Sequence, residues 1–199
     1  EEDVLQNYIA AEKLVGKLDV IILNAGIAAD TQGLENTPST VMKDLINTNL
    51  MGVFYGLKYA PNHLKDGGSI IATGSIAGSG FTAFGNGEYA ASKAGVAYLV
   101  RTAAIEYAQR AIRVNVVAPA TIAGTEMMAD DDGSPLAKFF SNFSALGRLG
   151  RQEEAVAVYR FLASDDSSYI TGQEIRVDGG VTAGIGMPIM ALLEKDAGF

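Results

Sequence analysis

Two hydrophobic periods alternate along this chain. Val4, Leu5, Tyr8, Ile9 and Leu14 recur at helical spacing, which predicts an amphipathic helix over 3–16. Val20-Ile21-Ile22-Leu23 is instead apolar on successive residues and stops at Asn24-Ala25-Gly26. That is the pattern of a short strand buried on both faces, as in a parallel sheet. Thr37-Pro38-Ser39 opens a second helix that runs to about Ala60, and Ser69–Thr73 reads as the next strand. An Ala/Gly-rich helix covers Tyr89–Gln109, and a third strand, Ile112–Ala118, is halted by Pro119. A helix over Glu153–Leu162 and a strand over Glu174–Val177 complete the series.

Strands alternating with helices predict an α/β fold, a doubly wound and mostly parallel sheet with helices on both faces. Ligands bind such sheets at the carboxyl ends of the strands. The conspicuous polar residues fall there: Asn24 after one strand, Ser75 after the next, and 119–125 after the third. One domain is expected over 1–199, without repeats or linkers. Residues 124–146 are acidic, contain Met and Phe, and are weakly patterned. A connection of that length in a compact domain is expected to be a lid.

Composition narrows the function. With 199 residues, 48% of them hydrophobic, the chain can bury a sizeable core. A net charge of −8 argues against a nucleic-acid surface, which needs a basic stripe. With no cysteine there is no disulfide framework, thiolate metal site or cysteine nucleophile, and no metal is expected. The single histidine, His63, follows Pro61-Asn62 at a predicted helix end and is expected to be solvated, which leaves a Ser-His-Asp triad unsupported. The opening Glu1-Glu2-Asp3 has neither a basic start nor a hydrophobic signal region. The longest mostly apolar run, Val181–Leu193, is too short to span a bilayer and contains Pro188. The expectation is a cytoplasmic enzyme with a small-molecule substrate and neither nucleic-acid nor membrane partners.

Tyr89 and Lys93, in GEYAASKAG, stand four apart and so share one helix face. A cation beside a phenol stabilises phenolate and lowers its pKa, making tyrosine a usable proton donor and acceptor. Spacing alone is weak support, and the other candidates have plain readings when taken singly. Asn49 could cap or interrupt a helix, Ser75 could be a turn residue, and Asn24-Ala25-Gly26 could simply end a strand.

Read together and in order, these stretches resemble the short-chain dehydrogenase/reductases. The matching segments are LNAG at 23–26, NTNLMGVF at 47–54, ATGSIAG at 72–78, YAASKAG at 89–95, IRVNVVAPA at 112–120, and 147–180. The resemblance implies a Rossmann-type fold that binds NAD or NADP, and a catalytic tetrad of Asn49, Ser75, Tyr89 and Lys93. Tyr89 would exchange a proton with the substrate oxygen while hydride moves to or from the nicotinamide. Ser75 would hold that oxygen. Lys93 would lower the pKa of Tyr89 and hold the nicotinamide ribose. Asn49 would keep its helix open and place a water that links Lys93 to solvent. Asn24, Ala25 and Gly26 would pass close to the adenosine half of the cofactor. Pro119, Ile122 and Thr125 would face the carboxamide, although Ala120 stands where the family has glycine. Asn115 would brace the sheet.

The family begins with a strand and a TGxxxGxG turn, and nothing in this chain matches that turn. The N-terminal part of the fold is therefore expected to be lacking, the sequence being a fragment of a longer protein. The substrate is expected to be an uncharged, fairly hydrophobic alcohol or ketone held by Ser75, Ile76, Tyr89, Met127 and Phe139. Met128, Leu136, Phe140, Phe143, Phe81 and Phe84 are further candidates, about half of them serving only to pack the lid. The resemblance implies a homotetramer or homodimer, with the Tyr89 helix and the helix near Val156 as interface faces. The competing expectations are a non-catalytic dinucleotide-binding relative or inactive fragment of the same fold, or a structural protein of unrelated function.

Overall fold

The computed structural model describes residues 1–29, 33–128 and 133–197. Helix α1 (Glu2–Val15) leads into strand β1 (Leu18–Leu23). Next come α2 (Ser39–Leu45), a π turn (Ile46–Met51) and α3 (Gly52–His63), running directly into β2 (Leu64–Thr73). Helix α4 (Gly87–Glu106) and strand β3 (Arg113–Pro119) follow. Helices α5 (Pro135–Ser141) and α6 (Gln152–Ala163), strand β4 (Glu174–Val177) and helix α7 (Met187–Ala197) complete the order.

The four strands lie in sequence order and all pair in parallel. Val20 pairs with Ser69, Thr73 with Val117, and Val117 with Ile175, so the strands end level with one another at their carboxyl edge. Alternation along the strands divides the core in two. Ile70, Ala72, Val114 and Val116 face α3 and α4, while Ile71 and Val117 face α6 through Leu162. Helices thus cover both faces, as the alternating pattern predicts. Asn115 braces the sheet as expected: its amide donates to Ile170 O at 2.8 Å and its Oδ1 accepts from Gln173 N at 3.0 Å.

Several expectations need correcting. The second predicted helix is interrupted by the π turn at 46–51, the segment that contains Asn49. Ile22, expected to be buried on the second face of its strand, is 50% exposed because β1 is an edge strand. His63 is buried rather than solvated. Its ring stacks on Tyr8 at 5.3 Å, and its Nδ1 lies 2.6 Å from Glu12 Oε2, joining α1 to the end of α3. Pro188, read as a break in the apolar tail, instead occupies the first turn of α7, where a missing N–H is harmless. Among the described residues no helix is long and apolar enough to cross a membrane.

Candidate active site

Three elements converge where β1 and β2 end. The π turn presents Asn49, which is fully buried. Its Oδ1 accepts from Ile27 N at 2.8 Å, and its Nδ2 donates to Ile27 O at 2.9 Å and to Ser92 Oγ at 3.0 Å. One amide therefore ties the strand-end segment 24–27 to α4. Ser92 in turn donates to Tyr89 O at 2.7 Å. Gly26 leaves room for the cluster: a Cβ there would lie 3.1 Å from Lys93 Nζ and 3.3 Å from Asn49 Oδ1, a tight contact that both side chains would have to yield to.

Ser75 follows β2 and caps a short 3-10 turn (Ile76–Gly78), its Oγ accepting from Ala77 N at 3.2 Å. Gly78 lets that turn lie flat on α4, since a Cβ there would meet the Lys93 backbone carbon at 2.5 Å. The Ser75 hydroxyl consequently lies near enough to the phenol of Tyr89 to lower its pKa. Lys93 lies one helical turn further on, 3% exposed, with Nζ 5.8 Å from the Tyr89 ring centroid and donating to Thr73 O at 2.9 Å. Asn49, Ser75, Tyr89 and Lys93 are thus gathered in one place from three separate stretches of sequence.

The electrostatics differ from the expectation. Burial pushes the Tyr89 phenol above the usual tyrosine value, and the nearby Ser75 hydroxyl opposes that rise. Burial also brings Lys93 down, to about 8. The expected lowering of Tyr89 by Lys93 does not dominate. The ammonium stands off the ring and spends a hydrogen bond on Thr73 O, and desolvation outweighs the pair's attraction. The ammonium still carries two further N–H donors. Among the described residues Thr73 O is its only hydrogen-bond partner, so the buried cation has unspent capacity facing the site.

The third strand end is assembled differently. Pro119 closes β3, and Ala120 N donates to Val177 O at 3.0 Å with an ordinary backbone, so alanine in the glycine position carries no left-handed strain. Ile122 is buried and bridges to Gly150. The Thr125 hydroxyl is engaged within its own turn, donating to Ile122 O at 3.0 Å and accepting from Met128 N at 3.2 Å. Asn24 and Ala25 are exposed at the end of β1.

In the expected lid, residues 129–132 lie outside the described residues. Met128 and Phe140 pack onto Ala137 and Leu149 and anchor it. Met127, Leu136 and Phe139 are exposed, and Ile76 is buried in the turn after Ser75. Phe143 links the two regions, its ring edge-on to Phe139 at 5.3 Å and to Phe81 at 6.4 Å. Phe84 is exposed.

Comparison with known proteins gives this arrangement a frame. Residues 1–182 match the family model described as Enoyl-(Acyl carrier protein) reductase. The oxidoreductase YxbG of Bacillus subtilis is 37% identical over 177 residues, covering 84% of this chain and 64% of that protein. Cis-4-hydroxycyclohexanecarboxylate dehydrogenase of Sinomonas cyclohexanicum is 39% identical over 181 residues, covering 90% of this chain and 71% of the relative. The chain belongs to the short-chain dehydrogenase/reductase family. A short-chain dehydrogenase/reductase from Serratia marcescens superposes with a TM-score of 0.83 at 31% identity, covering 90% of this chain and 71% of that one. ElxO with NADP bound gives a TM-score of 0.84 at 31% identity, covering 92% and 75%. The chain therefore spans roughly two thirds to three quarters of the length of these short-chain dehydrogenase/reductases.

The family motifs identify Asn49, Ser75, Tyr89 and Lys93 in the sequence. They do not single out Thr73, whose carbonyl holds Lys93, or Ser92, which links Asn49 to α4. Both lie inside the quoted motifs, and only the fold reveals what they touch.

Proposed function

We propose that this protein is an NAD(P)-dependent oxidoreductase acting between a ketone and its alcohol, with Tyr89 as the general acid and base. The observation that carries the proposal is the buried Ser75–Tyr89–Lys93 cluster at the strand ends. The residues present suit the cofactor. A cation with two unspent donors fits a ribose diol, and the backbone at Gly26 passes so close to the cluster that a Cβ there would crowd Lys93 Nζ and Asn49 Oδ1. The bound nicotinamide supplies or accepts the hydride.

The chain's own residues handle the proton and the geometry. In the reductive direction Ser75 donates to the carbonyl oxygen and places it against Tyr89. Tyr89 releases its phenolic proton to that oxygen as the carbon becomes tetrahedral, and in oxidation it takes the proton back. A phenol raised by burial is the acid form at neutral pH and so is ready to donate. Lys93 would hold the ribose hydroxyls and stabilise the phenolate left behind. Asn49 positions the strand-end segment, and a water beside it would connect Lys93 to solvent. Asn24, Ala25 and Gly26 would line the path of the adenosine half, and Pro119, Ile122 and Thr125 would hold the carboxamide.

The exposed Met127 and Phe139, with Ile76, form the apolar side of the substrate pocket, within a lid spanning 124–146. Such a wall favours an uncharged, hydrophobic alcohol or ketone. We further infer a cytoplasmic homotetramer or homodimer. Tyr98 and Ile105 are 69% and 79% exposed on α4, beside a cavity lined by Leu50, Phe54 and Leu99, and Val156 is 49% exposed on α6. Faces of that kind are expected to be covered by a second copy.

The test is Tyr89→Phe, assayed on a panel of ketones with NADH and with NADPH. The expected loss in kcat is about a hundred- to ten-thousandfold, with cofactor still bound. Turnover that survives the substitution overturns the mechanism. Cofactor binding without turnover in the wild-type protein identifies a non-catalytic relative instead.

A further inference from the structure

Tyr159 on α6 has no part in the mechanism above, yet its hydroxyl reaches the active-site edge of the sheet. Its ring packs in the apolar cluster of Ile71, Val117 and Leu162, on the face opposite α4. From there the phenol oxygen approaches Thr73 Oγ1 at 2.6 Å. Thr73 is the last residue of β2, two beyond Ile71, so its side chain points to the α6 face. The same hydroxyl donates to Asn24 Oδ1 at 2.8 Å, and the Thr73 carbonyl accepts from Lys93 Nζ at 2.9 Å.

Counting protons fixes the direction of this chain. A threonine hydroxyl has a single hydrogen, and that of Thr73 goes to Asn24. The short contact with Tyr159 must then have Tyr159 as donor, which suits the more acidic phenol. Burial raises the Tyr159 phenol, the bond to Thr73 only partly opposing that rise, so the phenol keeps the proton it donates. With Asn24 Oδ1 held inward, its NH2 group is turned outward at the exposed end of β1. An outward amide donor at the carboxyl edge of a parallel sheet faces the place where ligands bind.

We propose that Tyr159 is a positioning residue for cofactor binding: through Thr73 it locks the Asn24 carboxamide with its NH2 presented to an acceptor on the nucleotide, and steadies the carbonyl that holds Lys93. The proposal rests on the oxidoreductase reading above, and its test separates the two. Affinity for NADH and NADPH is measured by calorimetry on wild type, Tyr159→Phe, Thr73→Val and the double variant, alongside steady-state kinetics. Tyr159→Phe is expected to weaken binding about five- to tenfold, the loss of one oriented hydrogen bond. The change appears in the KM for cofactor and much less in kcat. Because both groups act through one chain, adding Tyr159→Phe to Thr73→Val is expected to change affinity no further. Thr73→Val keeps the branched shape of the strand residue, so the comparison stands even if Tyr159→Phe folds poorly. Unchanged affinity in Tyr159→Phe, or fully additive losses in the double variant, overturns the relay. Absence of cofactor binding by the wild-type protein refutes the oxidoreductase reading and the relay with it.

Discussion

Replacing Lys93 by methionine separates what the buried ammonium does for the site from what it does to stability. Lys93 is 3% exposed, and burial holds its pKa at about 8 against an ordinary 10.5. That gap corresponds to about 3 kcal/mol set against the charged form at neutral pH. A group whose folded pKa is depressed contributes fully to stability above its unfolded value, near 10.5. That contribution is lost as pH falls through the folded value, near 8. Methionine has a similar length and no charge, so the variant escapes the penalty but forgoes the hydrogen bond to Thr73 O, a loss of about 1–3 kcal/mol. Near pH 7 the two effects roughly cancel, and the variant is expected to match or slightly exceed the wild type. The pH dependence is the sharper quantity. Between pH 7 and pH 10 the wild type should gain about 2–3 kcal/mol relative to Lys93→Met, since only the wild type sheds a proton on folding in that window. Urea unfolding of both proteins at the two pH values measures this, and other titrating groups cancel in the difference. A difference that is the same at both pH values refutes the picture of a desolvated ammonium. Ketone reduction should fall sharply in the variant.

Two further substitutions probe the surroundings. Phe143→Ala removes the ring that meets both Phe139 and Phe81, each edge-on pair being worth about 0.5–1.5 kcal/mol. The KM for hydrophobic ketones is expected to rise about tenfold, with little change for the smallest substrates; equal effects on both would argue against an apolar wall. His63→Leu breaks the stack on Tyr8 and the contact with Glu12, at the opposite ends of the strands from the site. It should lower unfolding stability by about 1–3 kcal/mol and leave cofactor affinity alone, and a shift in affinity would show that the two ends are coupled.

The strands and helices were legible because burial on both faces clusters Ile70-Ile71 in β2 and Val114, Val116 and Val117 in β3, and the observed β4 has the bounds read from the pattern. The π turn was not legible as a break in periodicity, since one extra residue in a turn scarcely alters a hydrophobic stripe. Only the family motif around Asn49 pointed to an opened helix. His63 was misread because burial here comes from α1, some fifty positions away in sequence, through Tyr8 and Glu12. The tetrad residues were readable through motifs that name side chains. The pKa balance between Tyr89 and Lys93 was not, because desolvation depends on how deeply α4 sits against β2 and the turn after Ser75. Tyr159 carried no signal: on α6 it looks like one more apolar residue until its hydroxyl is traced to Thr73.

The π turn at Ile46–Met51 makes this part of the chain intolerant of insertion and deletion. Surface connections absorb an added or missing residue easily. Losing one residue between 46 and 51 would let an ordinary helix form, swinging everything on one side by about 100° relative to the other. Asn49 would leave Ile27 and Ser92, or α3 would turn its apolar face off the sheet, and no single side-chain change would restore both. The length of this segment should therefore be held to the residue across related sequences, even where the identities on its outer surface drift.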